Sequence, residues 1–167
     1  AHYWAKHEDA DHPIWASIDG AIKAASMSGK IVMVDSIPIV PERSYPDILA
    51  RLRPGDVHTH VFAQQFPLMD ENGRMQPYML AERERGVHFD VGHGSGSFWF
   101  RQAVGCFNHG FWPESISTDL HHQNVTGPAI DQLYVASKFL AMGMPLQDVL
   151  YSVTRAPALS ILRPELC

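Results

Sequence analysis

Short apolar segments open near residues 30, 56, 87 and 115, about 28 residues apart, and each gives way to a stretch with helical periodicity. That spacing is the size of one strand-plus-helix unit, and such units imply parallel strands with helices packed outside them. The segments are KIVMVD (30–35), GDVHTHVF (55–62), GVHFDVG (86–92) and SISTD (115–119). Three are rich in Val or Ile and bounded by Gly, Pro or polar residues, as buried parallel strands are. SISTD has little strand propensity, and pattern alone does not make it a strand. Between them, Ile14, Trp15, Ile18, Ala21, Ile22 and Ala25 form a helical stripe that stops near Gly29. Ile48, Leu49 and Leu52 form a shorter stripe, and Pro77 and Gly86 frame a third helix. Further helices are expected over 98–109 and 130–142, then from Pro145, with a last short one near Thr154 and Pro157.

The segments differ in sequence, so the repetition is structural. An open Rossmann-like sheet and a (β/α)8 barrel both fit it. GHGSGSF (92–98) is glycine-rich but lacks the G-x-G-x-x-G spacing of a dinucleotide site, and no G-x-x-x-x-G-K-[ST] occurs. A complete barrel needs about 250 residues, and this chain has 167. Four strands cannot close a ring, so a barrel would need a further segment or subunit; a small open α/β domain is the alternative.

With 46% hydrophobic and 19% charged residues the chain can bury a core and is not disordered. A formal net charge of -5 gives no reason to expect nucleic acid or an anionic membrane as partner. No apolar run approaches the roughly 20 residues that span a bilayer, and AHYWAKHEDADH at the start has no leader pattern. Cys106 and Cys167 form no metal-binding or disulfide framework, which leans towards a cytoplasmic setting.

Polar residues gather where strands give way to loops. Asp35 ends the first segment, and His58 and His60 stand two apart in the second, on one strand face by alternation. Asp90 lies in the third segment with His93 just beyond it, and Asp119 ends the fourth, before His121 and His122. In an open sheet or a barrel these carboxyl ends converge on one site, and mixed imidazole and carboxylate donors suit a divalent cation such as Zn2+. Each also has a structural reading. Asp35 and Asp119 could cap the loops that follow them. His60 could be a hydrogen-bonded core histidine, His58 could stack against its neighbour, and Asp90 could pair with His88 or a basic residue. His121 and His122 could orient Asp119. His2, His7, His12 and His109 read as surface or helix residues. Arg43 and Arg74 could bind a substrate carboxylate or remain on the surface, and Cys106 reads as a buried helix residue.

The strings LRPGDVHTHVF, ERGVHFDVGHGSGSF, ISTDLH and SKFLAMGMPLQDV, followed by VTRAPA, occur in that order. Together they resemble the dihydroorotase-like deacetylase branch of the amidohydrolase superfamily, from about residue 31 to the C-terminus. The resemblance implies an α/β fold, a partial (β/α)8 TIM barrel comprising approximately strands five to eight, with residues 1–167 as the C-terminal portion of the catalytic domain. It makes His60 a histidine ligand, Asp119 the metal-proximal catalytic aspartate and His93 a substrate-binding residue. Asp35 stands where that family commonly has a ligand histidine, so metal identity and number stay open; His58 inherits no role. The first-strand H-x-H and bridging lysine of the family are expected upstream of Ala1, and Lys6 is a poor substitute.

The implied cofactor is one or two divalent metal ions, Zn2+ first. The implied activity is hydrolysis of a C–N bond in an amide or cyclic amide, with a small-molecule amide as partner. The remainder of the barrel or a second copy is expected to complete the fold. The competing readings are an inactive or incomplete barrel fragment and a small noncatalytic binding domain.

Overall fold

The computed structural model describes residues 11, 13–35 and 40–167. His2, His7, His12 and Lys6 lie outside the described residues. Three short strands, β1 (Met33–Val34), β2 (Val57–His58) and β3 (His88–Phe89), form a parallel sheet in sequence order. Its register pairs Val34 with His58 and His58 with Phe89. Hydrogen bonds carry the ladder beyond these labels: Thr59 N donates to Val34 O and Asp90 N to His58 O. The fourth segment runs parallel beside the third through an isolated bridge between Asp90 and Ser115. Its alignment continues as Val91 N, His93 N and Gly94 N donate to the carbonyls of Ser115, Ser117 and Thr118. SISTD thus lines the sheet edge through backbone pairing without forming a named strand.

The helices are α1 (Ala16–Ser28), α2 (Tyr45–Arg51), α3 (Pro77–Arg85), α4 (Phe100–Phe107), α5 (Gln132–Ala141), α6 (Leu146–Val153) and α7 (Arg155–Ser160). Their ends follow local chemistry. Ser44 and Asp131 cap α2 and α5 by accepting from the backbone N–H groups of Asp47 and Tyr134. Gly29 and Gly86 take left-handed conformations after α1 and α3. Arg85 reaches back from α3 to the carbonyls of Leu49 and Leu52 at the end of α2, which satisfies acceptors a helix end leaves open.

Helix and sheet meet in an apolar layer that includes Val34, Ile48, Leu49, Val57, Phe62, Phe89 and Phe139, all buried. Phe62 meets Phe98 and Phe107 edge-on, tying the loop after β2 to α4. Buried Asp56 holds the start of the sheet. Its carboxylate accepts from Val32 N at 2.8 Å and from the Arg53 guanidinium. Burial works against the Asp56 charge, but these donors outweigh it and hold the carboxyl below its ordinary value.

Candidate metal and catalytic site

The chain leaves β2 by a sharp change of backbone. His58 is the last strand residue, and His60 sits at φ 61°, a region that side chains other than glycine seldom enter. Strict alternation therefore ends at Thr59, and the expectation that His58 and His60 share a face does not hold. His58 points into the core, fully buried between Tyr45 and Phe66, with ring centroids 5.3 and 4.9 Å away. Among the described residues neither of its ring nitrogens has a hydrogen-bond partner, and burial lowers its pKa to about 4. His58 is a neutral core residue.

His60 behaves differently. Its Nδ1 lies 2.5 Å from the carbonyl oxygen of Gly92, so Nδ1–H donates and the Nε2 lone pair is left to face outwards. Nε2 stands 4.0 Å from Oδ2 of Asp35. That distance is too long for a hydrogen bond. Two donors at about 2.0–2.1 Å from one tetrahedral zinc ion stand about 3.4 Å apart, so this pair would have to close by roughly half an ångström to share one. A histidine ligand held through its second nitrogen by a carbonyl is the usual way proteins aim an imidazole at a metal.

Gly92 is there for want of a side chain. With φ 45°, a Cβ on it would lie 2.3 Å from Thr59 Oγ1 and 2.6 Å from His60 Nδ1. Two residues on, a Cβ on Gly94 would lie 2.9 Å from Oδ2 of Asp119. His60 and Asp119 thus flank one three-residue segment whose ends can be at most about 7 Å apart. Asp119 is itself left-handed at φ 45°, a conformation that Asp and Asn tolerate better than most residues. Its carbonyl accepts from Nδ2 of buried Asn124 at 2.9 Å, and Asn124 Oδ1 accepts from His121 N. Asn124, not His121 or His122, holds the Asp119 backbone. His121 Nε2 instead meets Ser95 Oγ at 3.2 Å.

His93 lies between Gly92 and Gly94 but turns inwards, 2% exposed and stacked on Phe98. Its Nδ1 meets Gly94 O at 3.0 Å, and its Nε2 lies 2.8 Å from the Lys138 ammonium. Burial first, and Lys138 second, hold His93 below the ordinary histidine pKa, so the neutral ring accepts at Nε2. Lys138 also donates to Pro128 O at 2.7 Å, and its own pKa is lowered by burial.

Among the described residues Asp90 pairs with neither His88 nor a basic residue. Its buried carboxylate accepts from the hydroxyls of Thr59, Ser115 and Ser117, while His88 Nδ1 meets Ser160 Oγ. Arg43 is no surface residue: it is fully buried and donates to Ile14 O at 2.9 Å. Arg74 is exposed. Cys106 is buried, its thiol pushed up to about 12 by desolvation, and is inert as expected.

Lys138, Asn124 and the three hydroxyls around Asp90 escaped sequence reasoning. Lys138 lies on a helix 45 residues from His93, and the helical pattern over 130–142 gives no sign that its lysine meets that histidine. Among the described residues, no three His, Cys, Asp or Glu side chains form a group that could hold a metal ion. His60 with Asp35, and Asp119 nearby, suit a borderline divalent cation by donor type, but they are fewer than the four ligands of a closed zinc site.

The small parallel sheet carries an imidazole and a carboxylate, His60 and Asp35, where its strands end. No protein-family model matches the chain. A deacetylase from Agrobacterium fabrum is 34% identical over 166 residues, covering 94% of this chain and 39% of the relative. A deacetylase from Brucella anthropi is 34% identical over 158 residues, covering 89% and 38% respectively. A dihydroorotase crystal structure superposes with TM-score 0.76 at 34% identity, over 89% of this chain and 40% of its own. An adenine deaminase superposes with TM-score 0.84 at 26% identity, over 97% and 44%. The chain belongs to the amidohydrolase superfamily, in its deacetylase-like part. It spans about two fifths of the length of these relatives. Among the described residues, no helix is long and apolar enough to cross a membrane.

Proposed function

We propose that this chain is the C-terminal portion of the catalytic barrel of a metal-dependent amidohydrolase, carrying approximately strands five to eight. The complete protein hydrolyses a C–N bond in a small amide or cyclic amide. The observation that carries this reading is the setting of His60, whose Nδ1 is tied to Gly92 O while Nε2 faces Asp35 at 4.0 Å. His60, Asp35 and Asp119 hold the cation, Zn2+ in the first instance, with further ligands from outside residues 1–167. When bound, such a cation lowers the pKa of water and polarises a carbonyl.

Asp119 takes the proton of the attacking water and returns it to the leaving nitrogen, base and then acid. His93 serves substrate binding from behind the edge. Its Nε2 is engaged by Lys138, and the ammonium has one N–H beyond those given to His93 and Pro128 for a substrate oxygen. A second reading, an incomplete barrel inactive until an upstream segment or partner chain joins it, draws on the short donor set and the two-fifths coverage of the relatives.

The test is Asp119→Asn in the complete protein, assayed on N-acetylated amines and cyclic amides alongside metal content. Asparagine suits the left-handed backbone at this position, so the substitution removes the proton acceptor and little else. Turnover is expected to vanish with folding and most bound metal retained. Unchanged turnover would remove Asp119 from the mechanism.

A further inference from the structure

Beneath the proposed site lies a buried carboxylate that the mechanism does not use. Asp90 is 2% exposed. Its Oδ2 accepts from Thr59 Oγ1 and Ser117 Oγ, both at 2.6 Å, and its Oδ1 from Ser115 Oγ at 2.5 Å. Among the described residues it has no cationic partner. A buried charge held by neutral hydroxyls alone is an expensive arrangement, and an apolar residue of similar size could fill the space between strands. Its contacts run outwards in one direction. Ser117 Oγ, having donated to Asp90, accepts from Gly92 N at 3.1 Å. The Gly92 carbonyl in turn accepts from His60 Nδ1.

Gly92 joins two separate hydrogen bonds: its N–H can only donate, to Ser117 Oγ, and its carbonyl can only accept, from His60 Nδ1. Ser117 Oγ accepts from Gly92 N–H, which leaves its own hydroxyl proton to point at Asp90. Gly92 has no side chain to fix its torsions, and its two polar groups are anchored on Ser117 and His60. Thr59 adds a second hold on the residue before His60. We propose that Asp90 is a positioning residue for the metal-facing imidazole: through Ser117 it holds Gly92 in place, so that the Gly92 carbonyl, which can only accept, stays in reach of His60 Nδ1–H and Nε2 stays turned to the cation. This rests on the reading of His60 as a ligand and adds the device that aims it.

The three hydroxyls supply an internal control. Ser117 lies on the path from Asp90 to His60, whereas the Ser115 hydroxyl binds the other carboxylate oxygen and, among the described residues, bonds to neither Gly92 nor His60. A merely structural hub would suffer equally from losing either serine. The test compares Ser117→Ala, Ser115→Ala and Asp90→Asn by nitrogen-15 NMR of the imidazoles in metal-free protein at mildly alkaline pH. Zn2+ affinity is measured in parallel by competition with a chelating dye in the full-length protein.

The expected result is a single Nδ1–H tautomer of His60 in the parent and in Ser115→Ala, and a tautomer mixture in Ser117→Ala and Asp90→Asn. Zn2+ binding by the latter two is expected to weaken about 10- to 100-fold, the usual effect of losing a group that orients a ligand. An unchanged tautomer and affinity in Ser117→Ala would overturn the proposal, as would equal changes in Ser115→Ala. If Asp90→Asn does not fold, the two serine variants decide. If the parent binds no Zn2+ the functional reading fails, while the tautomer comparison still judges the positioning role.

Discussion

The two histidines of the HTH string are two residues apart and chemically unlike. His58 is sealed among Tyr45, Phe66 and Phe89 with no partner for either nitrogen among the described residues, so the folded protein holds it neutral with a pKa of about 4. The sign of its pH effect follows. An unfolded histidine takes up a proton near 6.5 while the native one does not, so the unfolded state binds more protons between about 6.5 and 4 and stability falls as pH falls through that window. The loss attributable to His58 is on the order of 3 kcal/mol. His58→Phe in metal-free protein is expected to flatten that part of the pH profile of the denaturant midpoint; an equally steep profile would assign the acid sensitivity elsewhere. His58 could be suspected of a core role from sequence, but not separated from His60, because the left-handed turn that parts them has no glycine to announce it.

Among the elements, the closest fit is where the segment after β3 passes the end of β2. Gly92 fits against Thr59 and His60 with no room for a methyl group and takes φ 45° besides. Gly92→Ala therefore strains the backbone and pushes apart the residues that aim His60. We expect a loss of about 2–4 kcal/mol in unfolding free energy together with weakened metal binding, whereas Gly96→Ala, with nothing within 4 Å of its Cβ and no positive φ, should behave as the parent in a denaturant titration. Equal stability of the two variants would contradict this packing. The helices were legible because their stops are local: Gly29, Gly86 and Gly143 mark ends by chemistry that a few residues contain. The strand at 115–119 was not, since its order comes from backbone pairing with residues 90–94 and not from its own side chains. The Asp90 cluster was hidden for the same reason, its donors coming from positions 59, 115 and 117, which only the parallel register brings together.

For the whole molecule, the repetition of strand and helix every 28 residues or so was enough to call for a parallel sheet, but it left barrel and open sheet equivalent. Motif resemblance separated them, and the superposition on the dihydroorotase and the adenine deaminase agrees with a sector of such a fold. The site reads as a sector too. Under the proposed reading, ligands from outside residues 1–167 would complete the site around His60, Asp35 and Asp119; among the described residues no three His, Cys, Asp or Glu side chains form a group that could hold a metal ion. The most direct check is metal content of the full-length protein after dialysis, compared between the parent and His60→Ala. The account expects at least one equivalent of tightly held divalent cation in the parent and a loss of most of it in the variant. Full retention of metal in His60→Ala would mean that the strand-end imidazole is not a ligand.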